Sequence, residues 1–420
     1  MYRVARRPLS KLLALLPEAA PPPTFEELEL NLERSGLSAI LEAKTSGSRF
    51  RALLSEQSRD RAFHVEVQTR ALPAQHLEHS PLSGSDFANA ALASRVCVSV
   101  TCKLGQDALE SLHAQLRLLA ALAPDAVAML DLNAFHVKSG DWMRDAASAS
   151  VPPSAMSFFS IHSVFDDRNG RETWLHTHGL QRMGSIDLDI VGVRRREASA
   201  LAGLINHVAR LFIDHGVPPP DTTFHAGDDL PLVWLPCEAA VEHVNATLGG
   251  AADRDADHTR ERGVLLAPAT ASPGRLETPR RYASLLEADP ILYISPAETE
   301  RMQRLAHERL PRFLALRDRF AKNKKWSFQV KLGLPTDAEG PAEHLWFDVH
   351  DASAETVNGT LVNQPYFITR LRRGHRGTFD LRFMTDWAIH SPRGGYTPET
   401  VLQLERGLAN DRVSRLPLLH

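Results

Sequence analysis

The chain has 420 residues, of which 43% are hydrophobic and 24% charged, values typical of a globular protein with two or three domains. Its 48 basic and 51 acidic residues give a formal net charge of −3, so no overall field draws it to nucleic acid or to an anionic membrane. No run approaches the eighteen or so apolar residues that a membrane helix needs. Three cysteines without a CxxC pair argue for a reducing compartment, and we expect a cytoplasmic protein.

The first part of the chain predicts an α+β domain after a short lead. Residues 1–24 are basic and indicate a partly helical lead that ends at three consecutive prolines. Thr24 and Glu27 have the spacing of a capping box, which predicts a helix beginning after Thr24. Strand-like and leucine-rich runs follow as far as residue 248. We expect residues 25–248 to form one α+β domain, with helices packed on one face of a mostly antiparallel sheet.

The stretch 157–193 contains the most suggestive residues. Two strand-like runs flank residues 166–170, whose Asn-Gly end favours the turn of a hairpin. Because side chains alternate along a strand, pairing Phe165 with Arg171 places three imidazoles on one face. They belong to His162, His176 and His178.

This group of imidazoles has two interpretations. Histidines at i and i+2 of one strand, with a third on the neighbouring strand, converge within reach of a metal ion, and zinc is the first candidate. That interpretation predicts a metal-dependent hydrolase centred on the hairpin. In the alternative the side chains pack beside Trp174 and serve the fold, and the protein has no cofactor. No HExxH, G-x-S-x-G, GxGxxG or P-loop motif indicates a different reaction.

The last part of the chain changes in character twice. Residues 249–290 begin with Gly-Gly-Ala-Ala and continue with dense alternating charge, which predicts a linker or a mobile loop. Residues 298–320 then predict a helix that Pro311 kinks or divides. Five strand-like runs follow it. We expect residues 291–420 to form a second α+β unit, with a helix on a small, antiparallel, barrel-like sheet and a carboxy-terminal helix.

Four motifs stand in order in this second unit: SFQVKLGL (327–334), EHLWFDV (343–349), NGTLVNQP (358–365) and GTFDLRFMTDW (377–387). In these motifs the unit resembles the YegJ-like bacterial domain of unknown function. The earlier segments WLHTHGL (174–180) and DLDI (187–190) are similar to a related group of uncharacterised bacterial domains. The resemblance implies architecture and transfers no catalytic residue. Both kinds of domain are similar in style to the adaptor and immunity modules of bacterial toxin systems.

Two features of the second unit predict a protein partner. Tryptophans are enriched at binding hot spots, and a cluster of arginines in a turn suits an acidic partner. The predicted binding residues are Trp346, Trp387, Arg370, Arg372, Arg373 and Arg376. The leading hypothesis is therefore a non-enzymatic protein-binding module, either an adaptor or an immunity protein of a toxin or secretion system. The metal-dependent hydrolase is the alternative, and a scaffold that bridges other proteins is a third possibility.

Overall fold

The computed structural model describes residues 1–414 except 3, 6, 44–47, 57–58, 70–85, 166–171, 255–257, 259–260, 271, 273, 288–294 and 338–341. The chain divides into two units. Unit 1 comprises Met1–Ala147 and Pro153–Ser295, and unit 2 comprises Ser148–Pro152 and Pro296–His420. In the described part of the chain, every helix is too short or too polar to cross a lipid bilayer.

The first half of unit 1 is a seven-stranded sheet whose neighbouring strands are all antiparallel. Its strands are β1 (Ser10–Leu15), β2 (Ala39–Ala43), β3 (Arg49–Glu56), β4 (Arg59–Thr69), β5 (Val96–Cys102), β6 (Ala128–Asp131) and β7 (His136–Ser139). Their order across the sheet is β2-β3-β4-β5-β1-β6-β7. The helices of this half are α1 (Phe25–Ser35), α2 (Asp86–Ala93), α3 (Ala108–Leu122) and α4 (Gly140–Ser148).

Strand β1 lies inside the segment that was expected to be partly helical, and that prediction is wrong for residues 10–15. Leu12 belongs to the main core, and Leu13 belongs to a second cluster on the opposite face. A strand that is covered on both faces has an unbroken apolar run, which periodicity cannot distinguish from a helix. The helix start after Thr24 is confirmed, because the Glu27 N–H donates to the Thr24 hydroxyl and the Thr24 N–H donates to the Glu27 carboxylate.

The second half of unit 1 is another sheet, with helices packed on both of its faces. Its strands are β8 (Ser160–Phe165), β9 (Glu172–His178), β10 (Asp187–Arg194), β11 (Phe224–His225), β12 (Pro231–Leu235), β13 (Arg262–Pro268) and β14 (Leu276–Glu277). The order is β11-β12-β13-β10-β9-β8, with β14 beside β13, and β10 and β13 are parallel. The helices are α5 (Ala198–His215), α6 (Cys237–Ala240) and α7 (Ala283–Glu287). Helix α5 covers one face of the sheet in the main core, and the opposite face carries a smaller buried cluster that includes Trp174 and Ala240 of α6.

Strand β13 lies within residues 249–290, so the prediction of a linker is wrong for residues 262–268. Val264, Leu265 and Leu266 are almost completely buried. The strand is paired on both sides, with β10 and with β12. Its apolar run is short and stands next to a densely charged stretch, so composition alone indicated a loop.

Unit 2 is a single sheet with helices. Its strands are β15 (Ser327–Leu334), β16 (Glu343–Ala352), β17 (Thr356–Leu361), β18 (Arg376–Asp380), β19 (Met384–Ser391) and β20 (Gly394–Tyr396), in the order β18-β17-β16-β15-β19-β20. The helices are α8 (Pro296–Phe320), which continues through Pro311 as one helix, and α9 (Val401–Ser414). The α+β class is therefore confirmed for the chain. Over the described residues β18 and β20 remain the two edges of an open sheet, so the expected barrel-like closure is not found.

Candidate metal centre

The hairpin of β8 and β9 brings the three predicted imidazoles together on one face of the second sheet. The register pairs His162 with His176, and Ser160 with His178. Residues that pair directly across antiparallel strands share a face, as do residues two apart on one strand. The structure therefore confirms that the three imidazoles are neighbours, while metal binding itself stays a prediction.

The register that was predicted for this hairpin is wrong by two residues. Phe165 pairs with Thr173, where the sequence pattern indicated Arg171. Because side chains alternate with a period of two, a shift of two residues keeps each side chain on its predicted face. The predicted turn, residues 166–170, and Arg171 itself lie outside the described residues.

The ring centres of the three histidines are about as far apart as those of three ligands of one metal ion, although their nitrogens spread over up to 4.8 Å. Each imidazole has one nitrogen that could bind a metal ion here, and these three nitrogens lie within 4.8 Å of one another. The ring centres are 4.8 Å apart for His162 and His178, 5.0 Å for His176 and His178, and 5.5 Å for His162 and His176. Metal–nitrogen bonds of about 2.0–2.1 Å in a tetrahedral site place imidazole ring centres about 5 Å apart. The three side chains thus approach the geometry of zinc ligands without a change of fold.

A fourth imidazole reaches this group from a distant part of the chain. Nε2 of His258 lies 3.2 Å from Nε2 of His176, and its ring centre is 5.0 Å from that of His178. Two nitrogen ligands of one tetrahedral ion are separated by about 3.3 Å; in the metal-free chain the same separation suits a hydrogen bond between the two rings. Sequence reasoning missed His258, because it stands in the charged stretch that predicted a linker. We call His162, His176, His178 and His258 the histidine cluster.

Burial keeps the central imidazoles of the cluster neutral. Desolvation lowers the pKa of His178 to about 2, and the positive charge of Arg262 and the neighbouring imidazoles act in the same direction. Desolvation also lowers the pKa of His176, followed by the effects of His178 and Arg262. Only the neutral imidazole binds a metal ion. His176 and His178 are therefore in the binding form at neutral pH and below.

The second nitrogen of His176, on the other side of the ring from the Nε2 that faces His258, is also unsatisfied and is an alternative metal ligand. Nδ1 of His176 is buried and makes no hydrogen bond with any residue that the structure describes. The His176 ring is held in place by Trp174, whose ring centre lies 4.2 Å away. A buried polar atom without a partner is destabilising unless an ion, a ligand or a water molecule satisfies it. The residues present thus provide neutral, buried nitrogens with unused capacity, as a metal that prefers imidazole requires.

Two carboxylates and two guanidinium groups lie on the same face as the cluster. Asp189 pairs with His176 across β9 and β10, and its carboxylate accepts hydrogen bonds from Arg262 at 3.1 Å and from Arg254 at 3.0 Å. Asp187 lies 3.9 Å from Arg262. Burial raises the pKa of Asp187 to about 6, although Arg262 opposes this shift. With Asp187 ionised the four formal charges cancel, so the arginines leave no net charge to repel a cation.

A cavity of about 640 Å³ reaches the histidine cluster at His258. Arg254, Arg262, Trp234 and Cys237 also line it. Burial raises the pKa of the Cys237 thiol, so the free thiol stays protonated at neutral pH. The cavity therefore offers space for a small molecule next to the cluster.

Comparison with known families assigns three stretches of the chain. Residues 10–153 match the protein of unknown function (DUF4026) N-terminal domain, and residues 161–266 match the DUF4026 C-terminal domain. The chain carries both DUF4026 domains. Residues 312–415 match the uncharacterized protein conserved in bacteria (DUF2314). Neither a curated protein nor a solved structure matches the chain.

These matches confirm the prediction that the chain consists of bacterial domains of unknown function. The DUF2314 match covers the unit that resembles the YegJ-like domain, and the DUF4026 matches cover the unit before it. They differ from the prediction in one detail, because two matches divide the first unit between its two sheets. The whole histidine cluster lies within the DUF4026 C-terminal domain.

One of the binding residues predicted in the DUF2314 domain is a core residue. Trp387 is 0% exposed, its Nε1–H donates to the carbonyl of Ala306 at 3.0 Å, and its ring packs against Phe313. The prediction that Trp387 binds a partner is wrong, because the ring fills the space between α8 and the sheet. Trp346 is partly buried, with the Lys331 ammonium 5.6 Å from its ring centre.

The four predicted arginines are all exposed, but they are not equivalent. Arg370 donates to the Asp337 carboxylate at 2.6 Å, so its charge is compensated. Arg376 is the first residue of β18, and its Nε lies 3.4 Å from Oδ1 of Asn358. Arg372 and Arg373 form no ion pair with any of the residues that the structure describes. The cationic surface is therefore smaller than the sequence suggested.

An exposed aromatic pair precedes these arginines, and sequence reasoning missed it. Tyr366 and Phe367 are 76% and 64% exposed. Their backbone N–H groups both donate to the Glu343 carboxylate, at 2.7 and 3.0 Å, which fixes the loop that presents the two rings. The sequence predicted a strand over residues 366–371, one of the five strand-like runs, but this stretch forms bends and turns between β17 and β18, so the prediction is wrong and both rings are exposed.

Proposed function

We propose that the DUF4026 C-terminal domain binds a divalent transition metal through the histidine cluster, with zinc as the first candidate. The observation that carries this proposal is the meeting of four imidazoles at a buried face, two of them 3.2 Å apart through their Nε2 atoms. Imidazole suits zinc, copper, nickel and iron. Zinc is the first candidate among these metals because three imidazoles are a ligand set that zinc sites use.

The four imidazoles divide into two kinds by their position. His162, His176 and His178 belong to paired strands of the sheet, and they would hold the ion. His258 lines the cavity. Catalytic zinc sites have three protein ligands and leave the fourth coordination position to water or substrate, and we place that position on the cavity side. A bound zinc ion acts as a Lewis acid and lowers the pKa of its water to about 7. This chemistry supports a metal-dependent hydrolase.

Metal analysis of the full chain tests the proposal. We expect about one zinc per chain after purification without chelating resins, measured by inductively coupled plasma mass spectrometry. The variant His176→Gln should retain less than a tenth of that zinc. The matched control His225→Gln changes an exposed histidine of the same unit, on β11, and should retain all of it. A folded wild-type chain that neither contains zinc nor takes up zinc, nickel or cobalt on titration would contradict the proposal.

Protein binding through the DUF2314 domain is a second candidate function, and it continues the adaptor or immunity hypothesis. The observation that favours it is the exposed pair Tyr366 and Phe367 in the same loop region as Arg372 and Arg373. Exposed aromatic rings and arginines in one connecting segment suit an acidic partner with an apolar anchor.

Affinity capture from the bacterial host separates this second candidate from non-specific binding. The wild-type chain should retain a stoichiometric partner that the double variant Tyr366→Ser, Phe367→Ser loses. The control Val241→Ser changes an apolar residue of unit 1 that is 59% exposed and should retain the partner. Equal capture by all three chains would exclude the aromatic pair as the binding surface.

A further inference from the structure

The imidazole of His162 has a hydroxyl group beside it on the same strand. Nε2 of His162 lies 3.2 Å from Oγ of Ser160, and Ser160 pairs with His178 across β8 and β9. Residues two apart on a strand share a face, so the Ser160 hydroxyl lies on the face of the histidine cluster. The donor in this contact is the group that has a proton to give, since both a hydroxyl and an imidazole nitrogen can donate or accept.

The single proton of the Ser160 hydroxyl is already used in another contact. Oγ of Ser160 lies 2.5 Å from the carbonyl oxygen of Ala134. A carbonyl oxygen can only accept, and two oxygens at this distance need a proton between them. Ser160 therefore donates to Ala134, and it accepts from the Nε2–H of His162.

The carbonyl of Ala134 belongs to the connection between β6 and β7, in the first half of unit 1. The Ala134 N–H donates to the Asp131 carboxylate at 3.2 Å. Asp131 forms an ion pair with Arg182, and neither side chain is exposed. This buried pair fixes the backbone at Ala134, so the acceptor of the Ser160 hydroxyl is held in place.

The next residue of this connection is in an unusual backbone conformation. Phe135 has a φ of +49°, in the left-handed region that a bulky side chain rarely adopts. Its ring packs edge-on against His178, with the ring centres 4.9 Å apart. Strained backbone of this kind persists where the surroundings impose it, and it is concentrated at functional sites. The connection thus brings both the Ala134 carbonyl and the Phe135 ring to the histidine cluster.

The direction of the contact between His162 and Ser160 decides which nitrogen of His162 can bind a metal. A neutral imidazole has one N–H and one lone pair. Because the N–H is at Nε2, the lone pair is at Nδ1. Histidine ligands of metal ions commonly donate their other ring N–H to an acceptor of the protein, which fixes the tautomer and the orientation of the ring. The Ser160 hydroxyl, backed by the Ala134 carbonyl, is such an acceptor.

We infer that Ser160 is a positioning residue of the metal centre, which holds His162 in the Nε2–H tautomer and makes Nδ1 its metal-binding atom. The consequence for metal affinity rests on the proposed function. The tautomer itself is a property of the metal-free chain, so the two can be tested separately.

Long-range ¹H–¹⁵N correlation spectra of the ¹⁵N-histidine-labelled full chain test the tautomer. The signals of His162 are those that the variant His162→Gln lacks. In the metal-free wild type we expect the proton on Nε2, and in Ser160→Ala we expect a mixture of the two tautomers. In the zinc-loaded wild type, Nδ1 of His162 should have the shift of a metal-bound nitrogen.

Zinc affinity, measured by competition with a chelating dye, tests the positioning role. Loss of an outer hydrogen-bond partner of a ligand typically weakens metal binding about 10–100-fold, and we expect a loss in this range for Ser160→Ala. The matched control Ser163→Ala makes the same change at an exposed position of β8 and should leave the affinity unchanged. Ser160→Thr keeps the hydroxyl and suits a strand, so it should restore both the tautomer and the affinity.

The outcomes separate this inference from the proposed function. A metal-free wild type with the His162 proton on Nδ1, or zinc bound to Nε2 of His162, overturns the inference and leaves the metal site in place. Equal zinc affinities of Ser160→Ala and Ser163→Ala also overturn it. Failure of the wild type to take up zinc overturns the proposed function; the metal-free spectra then decide the inference, which falls if Ser160→Ala leaves the tautomer unchanged. If Ser160→Ala does not fold, Ser160→Val takes its place, because it has nearly the shape of Ser160→Thr without the hydroxyl.

Discussion

Lowering the pH from 7.5 to 5.5 should destabilise unit 1, and His178 is one of the buried histidines that contribute to the effect. Burial holds the pKa of this imidazole at about 2 in the folded chain, whereas an unfolded histidine has a pKa of about 6.5. Between these values the unfolded chain binds a proton that the folded chain does not. Stability is therefore lost as the pH falls below the unfolded pKa. One pH unit below it, the free energy of unfolding decreases by about 1.4 kcal/mol for this side chain.

The variant His178→Gln isolates this contribution. With a chelator present, the difference in the free energy of unfolding between wild type and variant should shift by about 1.4 kcal/mol against the wild type from pH 7.5 to pH 5.5. Asp187 has the opposite dependence, because its raised pKa of about 6 gives stability at low pH that is lost as the pH rises. Its contribution is common to both chains and cancels in the difference.

Hydrogen exchange of the β9 amides, measured as a function of urea concentration, gives the free energy of unfolding of unit 1 separately from that of unit 2. The control Val193→Ala removes buried methyl groups from β10 without a titrating atom, so its cost should be equal at the two pH values. A difference between wild type and His178→Gln that does not change with pH would refute the reasoning. It would mean that His178 takes up its proton while the chain is still folded.

Three further predictions concern the fold. Arg182→Met should lower the free energy of unfolding in urea by about 3–5 kcal/mol, because it leaves the completely buried carboxylate of Asp131 without its ion pair. The control Arg144→Met removes an exposed ion pair and should lower it by less than about 1 kcal/mol. Equal losses in the two variants would contradict this reasoning. Trp387→Ala should lower the free energy of unfolding of unit 2 by about 3–5 kcal/mol in urea, because it leaves a cavity in the core. A loss below about 1 kcal/mol would contradict the assignment of Trp387 to the core. Thr24→Ala should cost about 1 kcal/mol through the lost capping box of α1, while Thr24→Ser should cost almost nothing in the same thermal unfolding assay.

Alternation along strands explains which part of the site could be predicted from the sequence. His176 and His178 are two residues apart on one strand, so they share a face whatever the register is. His162 joins them for any register shift by an even number of residues, and the actual shift is two. A shift of one would have moved His162 to the opposite face. The prediction thus depended on a property that local sequence determines well.

The parts that could not be predicted depend on contacts between distant residues. Strands β1 and β13 are short apolar runs whose identity comes from their neighbours on both sides, and no local pattern specifies those neighbours. The contact of His258 with His176 spans 82 positions of the chain. Its flanking residues are charged and lack periodicity, so only the tertiary structure reveals that it completes the cluster.

The burial of Trp387 shows a similar limit. Tryptophan is enriched at binding hot spots and also fills cores, so the residue type alone could not place Trp387. The ring of Trp387 is in the core because β19 faces α8, where Ala306 accepts its indole N–H. That assignment depends on the packing of the helix on the sheet.

X-ray absorption at the zinc edge tests the central claim most directly, because it reports the atoms bound to the metal in the intact chain. For the zinc-loaded wild type we predict nitrogen or oxygen neighbours at about 2.0–2.1 Å with the multiple scattering of at least three imidazoles, and a loss of bound zinc in His176→Gln. Sulfur neighbours at about 2.3 Å, or an unchanged spectrum in His176→Gln, would place the metal elsewhere and contradict the account.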